Sequence, residues 1–93
     1  MTTTINYQGE VLTLVEETYT NGRVCLSLWA EDGPFCKVTT NCPEVHLNEG
    51  EVLVKDWSEN EPIAKALVEQ GVLIPTGREV SSGFVFPMVA RLA

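Results

Sequence analysis

The chain has 93 residues, of which 44% are apolar and 20% are charged, and this predicts one small globular domain with a single core. Thirteen acidic side chains against six basic ones give a formal charge of −7. This balance argues against binding to a nucleic-acid backbone or to an anionic membrane, so we expect neither partner.

The N-terminal third of the chain predicts an antiparallel β-sheet. Side chains alternate in character over residues 3–7, and longer alternating segments follow at 10–19 and 23–30. The dipeptide Asn21-Gly22 between the longer segments is the one best suited to a two-residue type I′ turn. We therefore predict a short first strand followed by a β-hairpin.

A two-residue turn fixes which residues of this hairpin face each other. Tyr19 is expected opposite Val24, and Val15 opposite Leu28, on one face of the sheet. The other face then carries three large apolar residues: Leu12, Leu14 and Trp29. The chain has only one helix to cover the sheet. Either the sheet curls on itself into a partial barrel, or this second face remains available for a partner or a second copy.

Further strands are predicted at 34–40, 51–56 and 84–92. Residues 31–33 are expected to form a three-residue turn with a bulge before the first of these strands. Residues 41–50 lack a sustained period and predict a loop, whereas 72–74 predict a brief strand that stops at Pro75. Pro87 cannot donate to a ladder, so the last strand is expected to be an edge strand or to bulge there.

Residues 60–70 have the only pattern that is clearly typical of a helix. Asn60 is a good N-cap, Pro62 suits the first turn, and Gly71 suits the position after the last turn. The apolar side chains fall on one side, so the helix is expected to pack on the sheet. The order of elements predicts a single α+β domain over residues 1–93. We expect a small antiparallel or mixed β-sheet of about five to six strands, open or curled, with one packed α-helix.

Four residues supply the inventory of a zinc site: Cys25, Cys36, Cys42 and His46. Their spacing lacks the close cysteine pair that tight zinc sites present, and small buried thiols with one loop histidine account for them more simply. No glycine-rich phosphate loop is present, and no third group accompanies Cys42 and His46 as a nucleophile and its base. We therefore expect no catalytic residues, no metal and no cofactor, in a protein that is not an enzyme.

Acidic residues are concentrated between positions 44 and 61, where there is a single lysine. The six are Glu44, Glu49, Glu51, Asp56, Glu59 and Glu61. Either this acidic patch is an ordinary solvated surface, or it docks on a basic groove of another protein, as a nucleic-acid mimic does. Trp57 lies in the middle of the patch, where it either anchors the helix to the sheet or contributes to an interface.

The cellular location is predicted from two features of the sequence. No apolar run approaches the roughly 18 residues of a membrane span. The first residues also lack the basic and apolar regions of a signal peptide. We therefore expect a cytoplasmic protein in which the three cysteines are reduced.

The C-terminal half of the chain resembles a known group of proteins. The segments that carry the resemblance are Val54 to Glu61, Leu67-Val68-Glu69 with Gly71, Pro75-Thr76-Gly77-Arg78, and Ser82-Gly83-Phe84-Val85. They resemble an uncharacterised domain-of-unknown-function family of short acidic proteins from bacterial plasmids, conjugative elements and phages. The resemblance implies a mobile-element origin and brings no catalytic residues with it.

A mobile-element origin favours a function that depends on contact with other proteins. The first hypothesis is a non-enzymatic protein-interaction protein of a mobile element or phage, with the acidic patch directed against a host restriction or CRISPR nuclease. The alternative is a structural or accessory homodimer that associates through Leu12, Leu14 and Trp29. The sequence does not identify the partner.

Overall fold

The computed structural model describes residues 3–93 and contains two antiparallel sheets and one helix. The first sheet contains, in spatial order, β1 (Thr4–Tyr7), β2 (Glu10–Thr18), β3 (Val24–Ala30) and β4 (Gly33–Lys37). In the second sheet, β7 (Met88–Leu92) lies between β5 (Glu51–Val54) and β6 (Leu73–Glu79). A 3₁₀ turn at Ser58–Asn60 runs into helix α1 (Glu61–Glu69). The α+β class is confirmed, with its strands divided between two sheets.

The register of the first hairpin differs by one residue from the prediction. The Tyr19 amide donates to the Arg23 carbonyl, so the loop contains three residues instead of two. Gly22 has a φ of 86°, the left-handed conformation that ends such a loop. Leu14 therefore lies opposite Leu28. Because side chains alternate along a strand, this shift changes which residues of β2 and β3 share a face.

The predicted dimer face of Leu12, Leu14 and Trp29 is wrong for this reason. Leu12 is completely buried, and Leu14 packs against the same core. Trp29 follows the buried Leu28 on β3, so its side chain projects from the opposite side of the sheet, where it is 40% exposed. The three residues therefore do not form one surface.

The first sheet is curled. Its edge strands β1 and β4 would lie about 14 Å apart in a flat sheet, with side chains standing upright on it. The rings of Tyr7 on β1 and Phe35 on β4 nevertheless meet edge to face, with their centroids 6.0 Å apart. Of the two predicted possibilities, the curled sheet is therefore the one observed, and the second sheet and α1 complete the core against its apolar face.

The turn between β3 and β4 is shorter than predicted. Ala30 pairs with Gly33, so the turn has two residues, and the bulge falls instead at Phe35. The extra residue makes up for the shorter turn, so Cys36 lies opposite Leu28, the same pairing that a three-residue turn would give.

The last strand begins later than predicted and is central, not an edge strand. It starts at Met88, one residue after Pro87, and pairs with β5 on one side and β6 on the other. A central strand needs its N–H groups on both sides, which excludes proline from its interior. The edge strand is β6, which passes through Pro75 and bulges before Glu79, so the predicted stop at Pro75 is also wrong.

Both faces of the second sheet are covered. One face contributes Val52, Val54 and Ala90 to the main core, together with α1 and the first sheet. On the other face, the loop 41–50 places Cys42 and Val45 over a second cluster. The loop therefore serves as the outer cover of this sheet.

Residues 38–40 join the two sheets. The Val38 amide donates to the Leu26 carbonyl on β3, and the Val38 carbonyl accepts from the Lys55 amide just after β5. Thr39 forms an isolated bridge with Val54. The strands thus form an almost continuous curled layer whose outer edges are β1 and β6.

Helix α1 closes the opening between these two edges. The side chain of Gln70, just after the helix, accepts a hydrogen bond from the Asn6 amide at 2.9 Å and donates one to the Asn6 carbonyl at 2.7 Å. One side chain therefore satisfies both the backbone N–H and the backbone carbonyl of Asn6, which face away from β2 at the edge of the sheet. Within residues 3–93, no helix combines the length and apolar character needed to cross a membrane.

Candidate functional site

Glu51 is a structural residue and not part of a free acidic surface. Its carboxylate accepts hydrogen bonds from the Arg78 guanidinium at 2.7 Å and from the Asn48 backbone amide at 2.8 Å, and its side chain is 7% exposed. Arg78 also donates to the His46 carbonyl, which links β6 to the loop 41–50. The predicted role of Glu51 in the acidic patch is therefore wrong, because strand β5 turns this side chain toward a fixed partner.

The ion pair of Glu51 makes stability depend on pH. The hydrogen bond from Asn48 and the neighbouring Arg78 hold the pKa of Glu51 below its usual value. A lowered pKa in the folded state adds stability above the ordinary glutamate pKa, about 4.3, and the contribution is lost as the pH falls through the folded value. We expect Glu51→Gln to lower the melting temperature at pH 7 and to have a smaller effect at pH 3.

The control for this prediction is Glu49→Gln. Glu49 lies two residues before Glu51, on the loop 41–50, and its side chain is exposed. Thermal melts of the three proteins at both pH values provide the measurement. A melting temperature of Glu51→Gln equal to that of the parent at pH 7 would show that the Arg78 pair contributes nothing to the fold.

The remaining predicted acidic residues lie at the surface. Glu44 is exposed and accepts a hydrogen bond from the Ser82 hydroxyl at 2.6 Å, which lowers the Glu44 pKa. Glu49, Glu59 and Glu61 are also exposed, and none of them forms an ion pair within residues 3–93. Glu59 and Glu61 lie in the first turns of the helical segment, where the positive end of the helix dipole favours acidic groups.

A groove runs beside α1 along the β6 edge of the second sheet. One part, about 480 Å³, is lined by Gly77, Arg78, Val80, Phe86, Pro87 and Val89. The other part, about 450 Å³, follows the helix and is lined by Glu61, Ala64, Lys65, Val68 and Glu69. Asp56, Pro75 and Met88 line both parts. The two parts therefore adjoin at these three residues, and both are open to solvent and mostly apolar.

Asp56 is the charged group at the junction of the two parts. It is half-buried, and burial raises the pKa of its carboxyl group, with the nearby Glu61 acting in the same direction. Within residues 3–93, no basic side chain pairs with Asp56. The carboxylate therefore destabilises the folded state slightly at neutral pH instead of stabilising it, as is common for groups used in binding.

Two phenylalanines project from the segment between β6 and β7. Phe84 is fully exposed, and Phe86 is 72% exposed at one end of the groove. Ser82 and Val85 exchange backbone hydrogen bonds that form a tight turn around Phe84. The prediction of a strand from residue 84 is therefore wrong, and these aromatic rings belong to a surface loop.

Trp57 lies at the entrance to the helical segment. It is half-buried and lines a small pocket with Lys55, Ser58 and Glu59. Asn60 occupies the N-cap position of α1, but its side chain makes no capping hydrogen bond and donates instead to the Lys37 carbonyl at 2.7 Å. The amide thus fixes the start of the helix to the end of β4, a role that the sequence analysis did not predict.

The cysteines and the histidine are spread over the molecule. Cys36 faces the main core beside Leu28, whereas Cys42 belongs to the second cluster. His46 is exposed and lies 3.1 Å from the Asn48 side-chain oxygen. Among residues 3–93, no group of three or more His, Cys, Asp and Glu side chains is arranged to hold a metal ion.

A polar contact that the sequence analysis missed lies beside the buried Cys25. The Tyr19 and Thr39 hydroxyl groups are 2.9 Å apart, and burial raises the Tyr19 pKa. Thr39 also accepts a hydrogen bond from the Leu26 amide at 3.1 Å. These bonds satisfy the polar groups where the first sheet passes into the second, so we assign them a structural role.

The chain matches no protein-family model, no curated protein and no solved structure. The resemblance to acidic proteins of mobile elements therefore remains a prediction. Any function assigned to this chain depends on the surfaces described above.

The structure brings together only part of the predicted acidic patch. Asp56 and Glu61 share the groove, and Glu59 lies in the 3₁₀ turn before α1. Glu44 and Glu49 lie on the loop 41–50, on the opposite face of the second sheet. The apolar part of the site, including Val68 and Met88, was missed because both residues follow patterns that are equally typical of a core.

Proposed function

We propose that this protein is not an enzyme and acts by binding another protein, in the cytoplasm of a bacterium that carries a plasmid or phage. The observation that supports this proposal is the meeting of unpaired carboxylates with an open apolar groove beside α1. Asp56 lies in the groove, Glu61 lines it, and Glu59 is exposed next to it. Apolar area combined with charge at its rim is typical of protein-binding surfaces.

The chemistry of this surface favours a basic partner. The formal charge of −7 attracts a positively charged protein over a distance and repels an acidic one. Proteins that bind nucleic acids carry such basic surfaces, and restriction and CRISPR nucleases are among them. Together with the predicted mobile-element origin, this makes an inhibitor of a host defence nuclease the form of the proposal that we favour.

A charge-reversal experiment tests this proposal. Tagged protein is used to isolate its partner from the native bacterium, and the affinity is then measured by calorimetry for the parent and for Glu59→Lys/Glu61→Lys. Because two attractive charges become repulsive, we expect the double variant to bind about tenfold more weakly or worse. We also expect the parent complex to weaken as salt is raised, because salt screens the attraction.

The matched control is Glu10→Lys/Glu31→Lys. It has the same change in net charge, but both residues line a separate pocket between β2 and the turn after β3. If the two double variants weaken binding equally, only net charge matters. If neither weakens it and salt has no effect, the proposed electrostatic recognition is wrong.

A second candidate function is a structural or accessory homodimer. The supporting observation is an exposed aromatic pair on the first sheet: Trp29 and Phe35 are 40% and 41% exposed and line a common pocket. Light scattering at increasing protein concentration tests this candidate. A dimer that Trp29→Ala dissociates would support it, whereas a monomer at millimolar concentration would exclude it.

A further inference from the structure

The groove beside α1 has an apolar floor with a single charge at its centre. Met88, Pro75 and Val68 supply the apolar surface along its length, and the Asp56 carboxylate lies where the two parts meet. Phe86 stands at one end with most of its ring in solvent. A ligand that fills this groove therefore meets apolar surface on both sides of a negative charge.

The two cations that line this groove each have an acidic neighbour within the chain. Arg78 is paired with Glu51 at 2.7 Å, and the exposed Lys65 lies 3.9 Å from Glu69 on the next turn of α1. Asp56 has neither as an ion-pair partner. A basic group from another molecule would thus complete the electrostatics of the groove without displacing an existing pair.

We propose that this groove binds a segment of a partner protein in which arginine or lysine is flanked by apolar residues. The basic group pairs with Asp56 and approaches Glu61, while the neighbouring apolar side chains cover Met88 and Val68. This inference rests on the proposed function and narrows it, because it names the recognised element and the place where it binds. Charge complementarity favours such a segment over an uncharged apolar ligand or a second copy of this acidic chain.

The flanking apolar residues are as important as the basic one. An arginine bound to an exposed carboxylate alone contributes little in water. In a half-buried groove the same ion pair is screened less by salt. Its contribution to the binding free energy then depends on how much water the neighbouring side chains exclude. Peptides that lack either component are therefore expected to bind weakly.

The test uses three fluorescent twelve-residue peptides and the full chain. One alternates leucine with arginine, one replaces arginine with glutamine, and one replaces leucine with serine. Affinities are measured by fluorescence polarisation, and the binding surface by chemical shifts of the ¹⁵N-labelled protein. We expect the leucine–arginine peptide to bind about tenfold more tightly than either of the others and to shift the amides of Asp56, Val68 and Met88.

Two variants and one control complete the design. Asp56→Asn is expected to fold normally, because burial already disfavours the charged form, and to weaken the leucine–arginine peptide about tenfold. Val68→Ser removes apolar surface from the groove wall and is expected to weaken it as well. Glu49→Gln, on the opposite side of the sheet, is expected to leave the affinity unchanged.

Each result decides between defined alternatives. If the serine–arginine peptide binds as tightly as the leucine–arginine peptide, net charge alone is recognised. If the leucine–glutamine peptide binds as tightly, apolar surface alone is recognised. Either result overturns the inference. Shifts confined to Trp29 and its neighbours, or self-association that Phe86→Ser disrupts, would also overturn it. If the isolated partner responds to Glu59→Lys/Glu61→Lys but not to Asp56→Asn, the groove assignment fails while the proposed function stands.

Discussion

Leu12→Ala is expected to lower the free energy of unfolding by about 2–5 kcal/mol. Leu12 is completely buried and lies opposite Ile5, which is also buried, at the centre of the curled first sheet. Truncation removes apolar contacts and leaves a cavity that the surrounding strands cannot fill. A domain of this size has about 5–15 kcal/mol of stability in total, so a large share would be lost.

The matched control for Leu12 is Trp29→Ala. Strand alternation with a two-residue turn predicts both residues on one face of the hairpin, whereas the structure places Leu12 in the core and Trp29 on the outer side. We expect the tryptophan change to lower stability by less than the leucine change does, despite the larger side chain, because much of the ring already lies in solvent. Urea unfolding of the two variants provides the measurement. A greater loss for Trp29→Ala would mean that the hairpin register described here is wrong.

Arg23→Ala is expected to have the second largest effect, a loss of about 2–3 kcal/mol. Arg23 follows the first hairpin loop, and its guanidinium donates to the carbonyl groups of Cys42, Pro43 and Val45. One side chain therefore fixes the loop 41–50 over the second sheet. Its removal takes the donor from two part-buried carbonyl groups, those of Cys42 and Val45, and hydrogen bonds from a charged donor are stronger than neutral ones.

Arg23→Lys separates geometry from charge at this position. Lysine keeps the positive charge but cannot reach several carbonyl groups with a planar fork. We expect urea unfolding to give Arg23→Lys a free energy of unfolding between that of the parent and that of Arg23→Ala. Hydrogen exchange should also show faster opening of the Val45 amide in both variants. Parent-like exchange at Val45 in Arg23→Ala would contradict the anchoring role.

The hairpin shows what local sequence patterns can and cannot predict. Alternation over two segments with Asn21-Gly22 between them predicts the hairpin itself, because a glycine with positive φ suits both two-residue and three-residue loops. The dipeptide does not select between these loops. The choice depends on whether Leu14 reaches the core together with Leu28, and that contact involves packing against the rest of the molecule.

The last strand illustrates a second limit. Phe84 and Phe86 continue the period-two pattern of β7 without being buried, because alternation alone does not distinguish a core face from an exposed loop. Pro87 carried the correct signal, since a proline is excluded from the interior of a central strand. The position of β7 between two partners could not be predicted without knowledge of the topology.

The candidate site was predicted in part. Proximity in sequence grouped six carboxylates, and Asp56, Glu59 and Glu61 do lie near one another at the start of α1. Glu51 departs from the group because its partner, Arg78, is 27 residues further along the chain. Long-range pairs of this kind depend on tertiary structure, as does the apolar groove.

Photo-crosslinking in the native host cell tests the central claim, that this protein acts through contact at the groove beside α1. A photoreactive phenylalanine analogue is placed at exposed Lys65, which lines the groove, or at Trp29 on the outer side of the first sheet. We predict a light-dependent adduct with another protein from position 65 only, and its loss when Asp56→Asn is added. An adduct from position 29 alone, or one that contains two copies of this chain, would contradict the account.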